Sequence, residues 1–231
     1  MEHVGSDSRT YSVDYDWLKL PNGWEAPMAA VTVDSKDRVY GFNRGENGVI
    51  IFDTDGNYLK HWEGVDFIFP HAIYADHEDY IWIVDRDAGQ VLKYTTEGKQ
   101  KLAIGRRGYR SNTGADNSVF SSDGYRDVVR AGEPFNLPAG VAVAPSGDIF
   151  VADGYANCRV HRFDSDGNHI NSWGQPGSGE GEFLLPHGVT IDQNGSVLVS
   201  DRENNRIQEF DQEGRFLSEW ATGLVGPALV W

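Results

Sequence analysis

Cysteine is almost absent from this chain of 231 residues: Cys158 stands alone. No intramolecular disulfide can form, so noncovalent packing must hold the fold. Long apolar runs are missing too. None approaches the roughly 20 residues that a membrane-spanning helix needs, and the polar stretch Met1–Thr10 lacks the apolar core of an export signal. These absences predict a cytoplasmic protein. Basic residues are scarce, with 20 Lys and Arg against 35 Asp and Glu and a formal net charge of −15. Such a surface repels phosphate backbones and anionic lipid, so neither nucleic acid nor a membrane is expected as a partner. No segment shows helical periodicity in its apolar residues.

Glycine and aromatic residues are plentiful, with 27 Gly, 7 Trp, 10 Tyr and 11 Phe. That mixture suits turn-rich β structure. An internal repeat organises it. Phe69-Pro70-His71-Ala72-Ile73, Leu137-Pro138-Ala139-Gly140-Val141 and Leu185-Pro186-His187-Gly188-Val189 each open a unit; Ala26-Pro27-Met28 opens a degenerate first one and Gly226-Pro227 a fifth. The prolines at 27, 70, 138, 186 and 227 are spaced by 43, 68, 48 and 41 residues. Spacings of about 40–45 residues suit a four-stranded propeller blade. The long step holds an insertion over 106–134. Within a unit, alternating strands meet turns such as Asp53-Thr54-Asp55-Gly56, Asp164-Ser165-Asp166-Gly167 and Asp211-Gln212-Glu213-Gly214, whose glycines supply positive φ. The prediction is all-β: one incomplete propeller domain over 1–231, with blades at 27–64, 69–105, 137–174 and 185–220 and a fifth beginning at 226.

Antiparallel pairing brings the start of a blade's first strand beside the end of its second. Two sets of residues therefore share one face. His71 and His187 follow an opening proline on innermost strands, where imidazoles could ligate a metal or simply line the channel. Eight residues before the aromatic that ends each third strand stand Arg44, Arg86, Tyr155 and Arg202. Arginines there could bind an anionic ligand or brace loops against Asp85 and Asp201. Tyr155 could act as a general base beside positive charge or could pack. His3, His61, His77, His161 and His169 are read as surface residues, and Cys158 is given no role.

Several of these segments resemble peptidyl-α-hydroxyglycine α-amidating lyase and bacterial NHL-repeat proteins similar to it. Val151-Ala152-Asp153-Gly154-Tyr155-Ala156-Asn157 with Arg159-Val160 resembles its tyrosine loop. Leu185-Pro186-His187 with Ser200-Asp201-Arg202-Glu203-Asn204-Asn205-Arg206-Ile207-Gln208 resembles one histidine blade, Phe69-Pro70-His71 another, and Phe42-Asn43-Arg44-Gly45 the first-blade arginine. The insertion begins at Ile104-Gly105-Arg106, as in that family. The resemblance runs over about 24–231 and implies a six-bladed propeller of NHL-like blades, of which about four are present. It also implies a zinc held by three histidines, structural calcium, and cleavage of peptidyl-α-hydroxyglycine to a peptide amide and glyoxylate. On that resemblance His71 and His187 are zinc ligands, Tyr155 the base, and Arg44 and Arg202 the anchors of a substrate carboxylate; Arg86 is placed with them as substrate-binding.

The chain departs from the family where a third histidine is expected, because that residue belongs to a sixth blade. A closed three-histidine site within 1–231 is therefore not expected. An open sheet edge would invite self-association, unless Tyr11-Ser12-Val13-Asp14 pairs with the last blade to close the ring. The alternative function is a non-catalytic propeller that binds an acidic small ligand or a protein partner. A calcium lactonase is disfavoured, since no carboxylate follows an opening proline.

Overall fold

The computed structural model describes residues 3–6, 9–116 and 124–229. Residues 117–123 of the insertion, Val230 and Trp231 of the fifth opening, and the His3 side chain lie outside the described part.

Among the described residues, strand β1 (His3–Ser6) pairs with β2 (Arg9–Ser12) as an antiparallel hairpin. Four antiparallel sheets follow, each ordered as in the sequence. The first is β3 (Met28–Val33), β4 (Val39–Asn43), β5 (Val49–Phe52) and β6 (Tyr58–His61). The second is β7 (Pro70–Ala75), β8 (Ile81–Asp85), β9 (Gln90–Tyr94) and β10 (Gln100–Ile104). The third is β11 (Pro138–Val143), β12 (Ile149–Asp153), β13 (Arg159–Phe163) and β14 (His169–Trp173). The fourth is β15 (Pro186–Ile191), β16 (Val197–Asp201), β17 (Arg206–Phe210) and β18 (Phe216–Trp220). The only helical pieces among the described residues are two short 3₁₀ turns, Gly124–Asp127 and Arg202–Asn204. No helix there is long and apolar enough to cross a membrane.

The described residues form a propeller of four blades. Its innermost strands β3, β7, β11 and β15 neighbour one another in turn and line one cavity of about 660 Å³. Stacking blades buries both faces of the middle strands, so β5, β8 and β12 are buried throughout while outer strands such as β18 are partly exposed. Each interface between blades has its own apolar core: Tyr40, Phe42 and Trp62 with Ile73 and Ile83; Trp82 and Val84 with Phe135 and Phe150's neighbour Ile149; Ala152, Cys158 and Val160 with Phe183 and Phe210. Sheets packed this way need no disulfide, because each blade covers the apolar face of the next.

Tryptophans at blade ends lock this stacking. Trp62 packs against the β9–β10 turn of the next blade, where Gly98 has φ +85° and an added Cβ would stand 2.7 Å from the indole. Trp173 and Gly214 repeat the arrangement in blades three and four, also with a 2.7 Å approach. In blade one the N-terminal tail takes that place. Trp17 Nε1 donates to Thr54 O at 3.0 Å, and Lys19 N donates to Gly56 O at 2.9 Å.

Three expectations need correction. Tyr11 and Ser12 pair with β1, not with the last blade; a local partner costs far less loop-closure entropy than one at the other end of the chain. In blade one, Met28 pairs with Asn43 as Pro70 does with Asp85, so Met28 holds the slot of the opening proline and Pro27 stands one residue ahead. His161 is fully buried rather than on the surface. It is on β13 with Phe135 edge-on at 5.3 Å and Asp153 as a polar partner, so burial is compensated by hydrogen bonds at both ring nitrogens.

Candidate functional site

The site is built from one repeated junction. Just past each second strand a backbone N–H is donated to the segment that opens the first strand: Arg44 to Pro27, Arg86 to Phe69, Arg202 to Leu185 and, one residue further along because Gly154 intervenes, Tyr155 to Leu137. The preceding carboxylates fasten the same segment. Asp85 accepts from the amides of Ile68 and Phe69, Asp153 from Asn136, and Asp201 from Leu184 and Leu185. All three carboxylates are buried, and backbone donors satisfy them where water cannot. Arg44, Arg86 and Arg202 thus hold equivalent backbone positions, with Tyr155 one residue beyond that position in blade three, yet their side chains go to different places.

On the innermost strands the matching slot reads Ala29, His71, Ala139 and His187 around the axis. His71 Nδ1 lies 2.7 Å from Ala139 O, and His187 Nδ1 lies 2.9 Å from Ala228 O. A carbonyl can only accept, so each Nδ1 carries the proton and each Nε2 presents a lone pair. Both lone pairs point at the Tyr155 hydroxyl, 3.2 Å from His71 and 3.1 Å from His187. The two imidazole centres are 5.0 Å apart. Burial holds His71 well below the usual histidine range, at about 3, with His187, Arg86 and Arg44 adding repulsion against the bond to Ala139. Burial also lowers His187, opposed by its bond to Ala228. Both rings are therefore neutral near pH 7.

Tyr155 is buried, and its aim depends on Gly154. A Cβ at that position would stand 2.1 Å from Pro186 O, so only glycine lets the end of β12 pass the start of the next blade. Arg86 is buried beneath the tyrosine, its guanidinium 4.7 Å from the Tyr155 ring and 4.0 Å from Phe69. Its Nε donates to Asp87, not Asp85, at 2.8 Å. Arg44 covers Phe69 at 4.5 Å and donates from Nε to Pro70 O. Arg202 lies 3.6 Å from Glu203 rather than against Asp201, which is held by Arg206 and Asn204. The insertion reaches this rim: Tyr125 donates to Glu203 at 3.1 Å.

Arg44, His71, Tyr155, His187 and Arg202 all line the axial cavity, whose other walls are mostly apolar, from Ala30, Ile73, Val141 and Val189 among others. Arg86 does not line it. Among the described residues no third histidine, cysteine or carboxylate joins the two imidazoles. Sequence reasoning missed the two carbonyl acceptors. The alternation of alanine and histidine in one slot was the available signal, since each histidine needs a small neighbour to reach past. It also missed a cluster of Glu133, His161 and His169 beside blade three.

Fold and site together define a β-propeller with a His–Tyr–His centre on its axis. The chain carries NHL repeats: residues 135–163 and 183–210 match the NHL repeat. NHL repeat-containing protein 3 of Homo sapiens is 32% identical over 224 residues, covering 91% of this chain and 59% of the relative. Peptidyl-alpha-hydroxyglycine alpha-amidating lyase 1 of Drosophila melanogaster is 32% identical over 215 residues, covering 86% of this chain and 36% of the relative. Among solved structures, a catalytically inactive virginiamycin B lyase from Staphylococcus aureus with quinupristin superposes with TM-score 0.62 at 17% identity, covering 89% of this chain and 59% of that one. The last likeness concerns the fold. The chain thus spans less than two thirds of the length of these relatives.

Proposed function

We propose that the axial centre is that of a lyase acting on a small molecule or peptide that carries a carboxylate, and that its reaction is cleavage of a peptidyl-α-hydroxyglycine to a peptide amide and glyoxylate. The observation that carries this reading is the convergence of two Nε2 lone pairs on one phenol. Tyr155 has a single proton to donate and two acceptors facing it, so one lone pair goes unmet unless a cation enters. Neutral imidazoles are the common ligands of zinc, and the residues present fit two of its positions. Zinc bound there by His71 and His187 would polarise the substrate's hydroxyl oxygen.

Arg44 and Arg202 present guanidinium groups to the same cavity and are suited to hold the carboxylate. Tyr155 takes the proton of the α-hydroxyl. The C–O bond becomes the aldehyde of glyoxylate as the C–N bond breaks, and the departing amide nitrogen recovers a proton from Tyr155. The apolar walls accommodate the acyl side of the substrate. Similarity to an amidating lyase over most of this chain supports the assignment. The test is glyoxylate release from an N-acyl-α-hydroxyglycine by purified protein, with and without added zinc. Zinc-stimulated release is expected. Binding of a carboxylate ligand with no glyoxylate formed would instead favour a non-catalytic binding propeller.

A further inference from the structure

A second polar cluster stands apart from the axial cavity, on the far side of Asp153. His161 on β13 and His169 on β14 come together with Glu133, which closes the insertion. One ligand atom from each lies within 4.8 Å of the other two. We infer that Glu133, His161 and His169 form a divalent transition-metal site, of the zinc class, that clamps the insertion onto blade three.

The donor set argues for this class. Two imidazoles and one carboxylate are a common set for zinc, whereas calcium and magnesium favour oxygen alone. The tautomer of His161 is already prepared. Its Nε2 lies 3.3 Å from Asp153 Oδ2, so Nε2–H donates to a carboxylate and Nδ1 keeps its lone pair. A carboxylate behind a histidine is the support that metal-bound imidazoles usually have. Asp153 is itself held by Asn136 N and Asn157 Nδ2, so the ring is fixed before any ion arrives.

The Ser172 hydroxyl occupies the space between the two rings, 2.9 Å from His161 Nδ1 and 2.7 Å from His169 Nε2. Both of those nitrogens therefore face one point. His169 and Glu133 are exposed, which gives an ion a way in, while buried His161 forms the floor. Arg159 opposes binding. Its Nη2 lies 2.6 Å from Glu133 Oε1 and leaves the other carboxylate oxygen for the ion. Arg159 and the ion thus compete for one negative charge.

Occupancy has a structural consequence. Glu133 sits beside Gly132, which exchanges two hydrogen bonds with Asn157, and Thr113 donates to Ala156 O at 2.7 Å. These bonds hold the insertion against the loop that carries Tyr155. Metal binding at Glu133 would tighten that attachment without touching the axial residues.

The test uses the His71→Ala/His187→Ala variant, in which the axial ligands are gone, and zinc itself as the probe. Equilibrium dialysis with metal analysis at neutral pH should find bound zinc in this variant. Adding His169→Ala should abolish it, Glu133→Gln should weaken it by about tenfold or more, and Arg159→Gln should strengthen it. His169 is exposed, so its replacement leaves the fold intact, which circular dichroism would verify. A folded axial variant that binds no zinc, or that binds it undiminished by His169→Ala, overturns the inference. Neither result bears on glyoxylate release at the axial centre.

Discussion

The Tyr155 hydroxyl stands 3.1 Å from His187 Nε2, joining a loop of blade three to the innermost strand of blade four. The same oxygen lies 3.2 Å from His71 in blade two, so three blades meet at one atom. Replacing Tyr155 with Phe removes that atom and little else. Glyoxylate release should fall by roughly a hundredfold or more, the usual size of a general acid–base contribution. Zinc content should remain, since both imidazoles stay in place. Activity close to wild type would exclude Tyr155 as the proton carrier.

Arg202→Gln should act on binding. Arg202 lines the cavity and, among the described residues, its guanidinium makes a long 3.6 Å contact with Glu203, so the positive charge is available to a carboxylate. The expected result in steady-state kinetics is a raised KM with a smaller change in kcat, corresponding to about 1.5–3 kcal/mol for a hydrogen bond to a charged group. An unchanged KM would remove Arg202 from the carboxylate's path.

Stability of the metal-free protein should depend on pH through His71. The unfolded chain takes up its proton near pH 6.5, but burial in the folded protein delays that uptake to about pH 3. Between those values the unfolded state binds more protons. Stability should therefore be full above pH 6.5 and fall as pH drops from 6.5 toward 3, by up to about 1.4 kcal/mol per pH unit from this one group. Urea unfolding at a series of pH values would show it, and His71→Gln should flatten the slope. A slope of the opposite sign would contradict the burial of a neutral imidazole.

Gly154→Ala should be costly out of proportion to its size. The added carbon would stand 2.1 Å from Pro186 O, and backbone on both sides must move to admit it. A loss of about 1–3 kcal/mol is expected in chemical denaturation, with reduced glyoxylate release because Tyr155 shifts. Gly64→Ala offers a comparison: its Cβ would meet nothing within 4 Å, although φ is +70°. If the two variants lost equal stability, strain of the backbone alone would explain both.

Much of this protein is legible in the order of its residues. The recurring Pro openings, the Asp-x-x-Gly turns and alternation with period two determine four-stranded blades, because local turn chemistry and pleat geometry do not depend on distant parts of the chain. The same repeat places His71, His187, Tyr155, Arg44 and Arg202 at one end of the blades. Tertiary structure decided the rest. Equivalent positions gave Arg86 a buried place under Tyr155 and gave Arg44 and Arg202 the cavity wall, since each side chain's path depends on what the next blade presents. His161 looks like any histidine of an outer strand until stacking buries it beside Asp153. The N-terminal strand found its partner within its own hairpin, and Trp17 took up the glycine turn of blade one. Periodicity records which face a residue points to along its own strand; what covers that face is a contact between residues far apart in the chain, and only the assembled blades supply it.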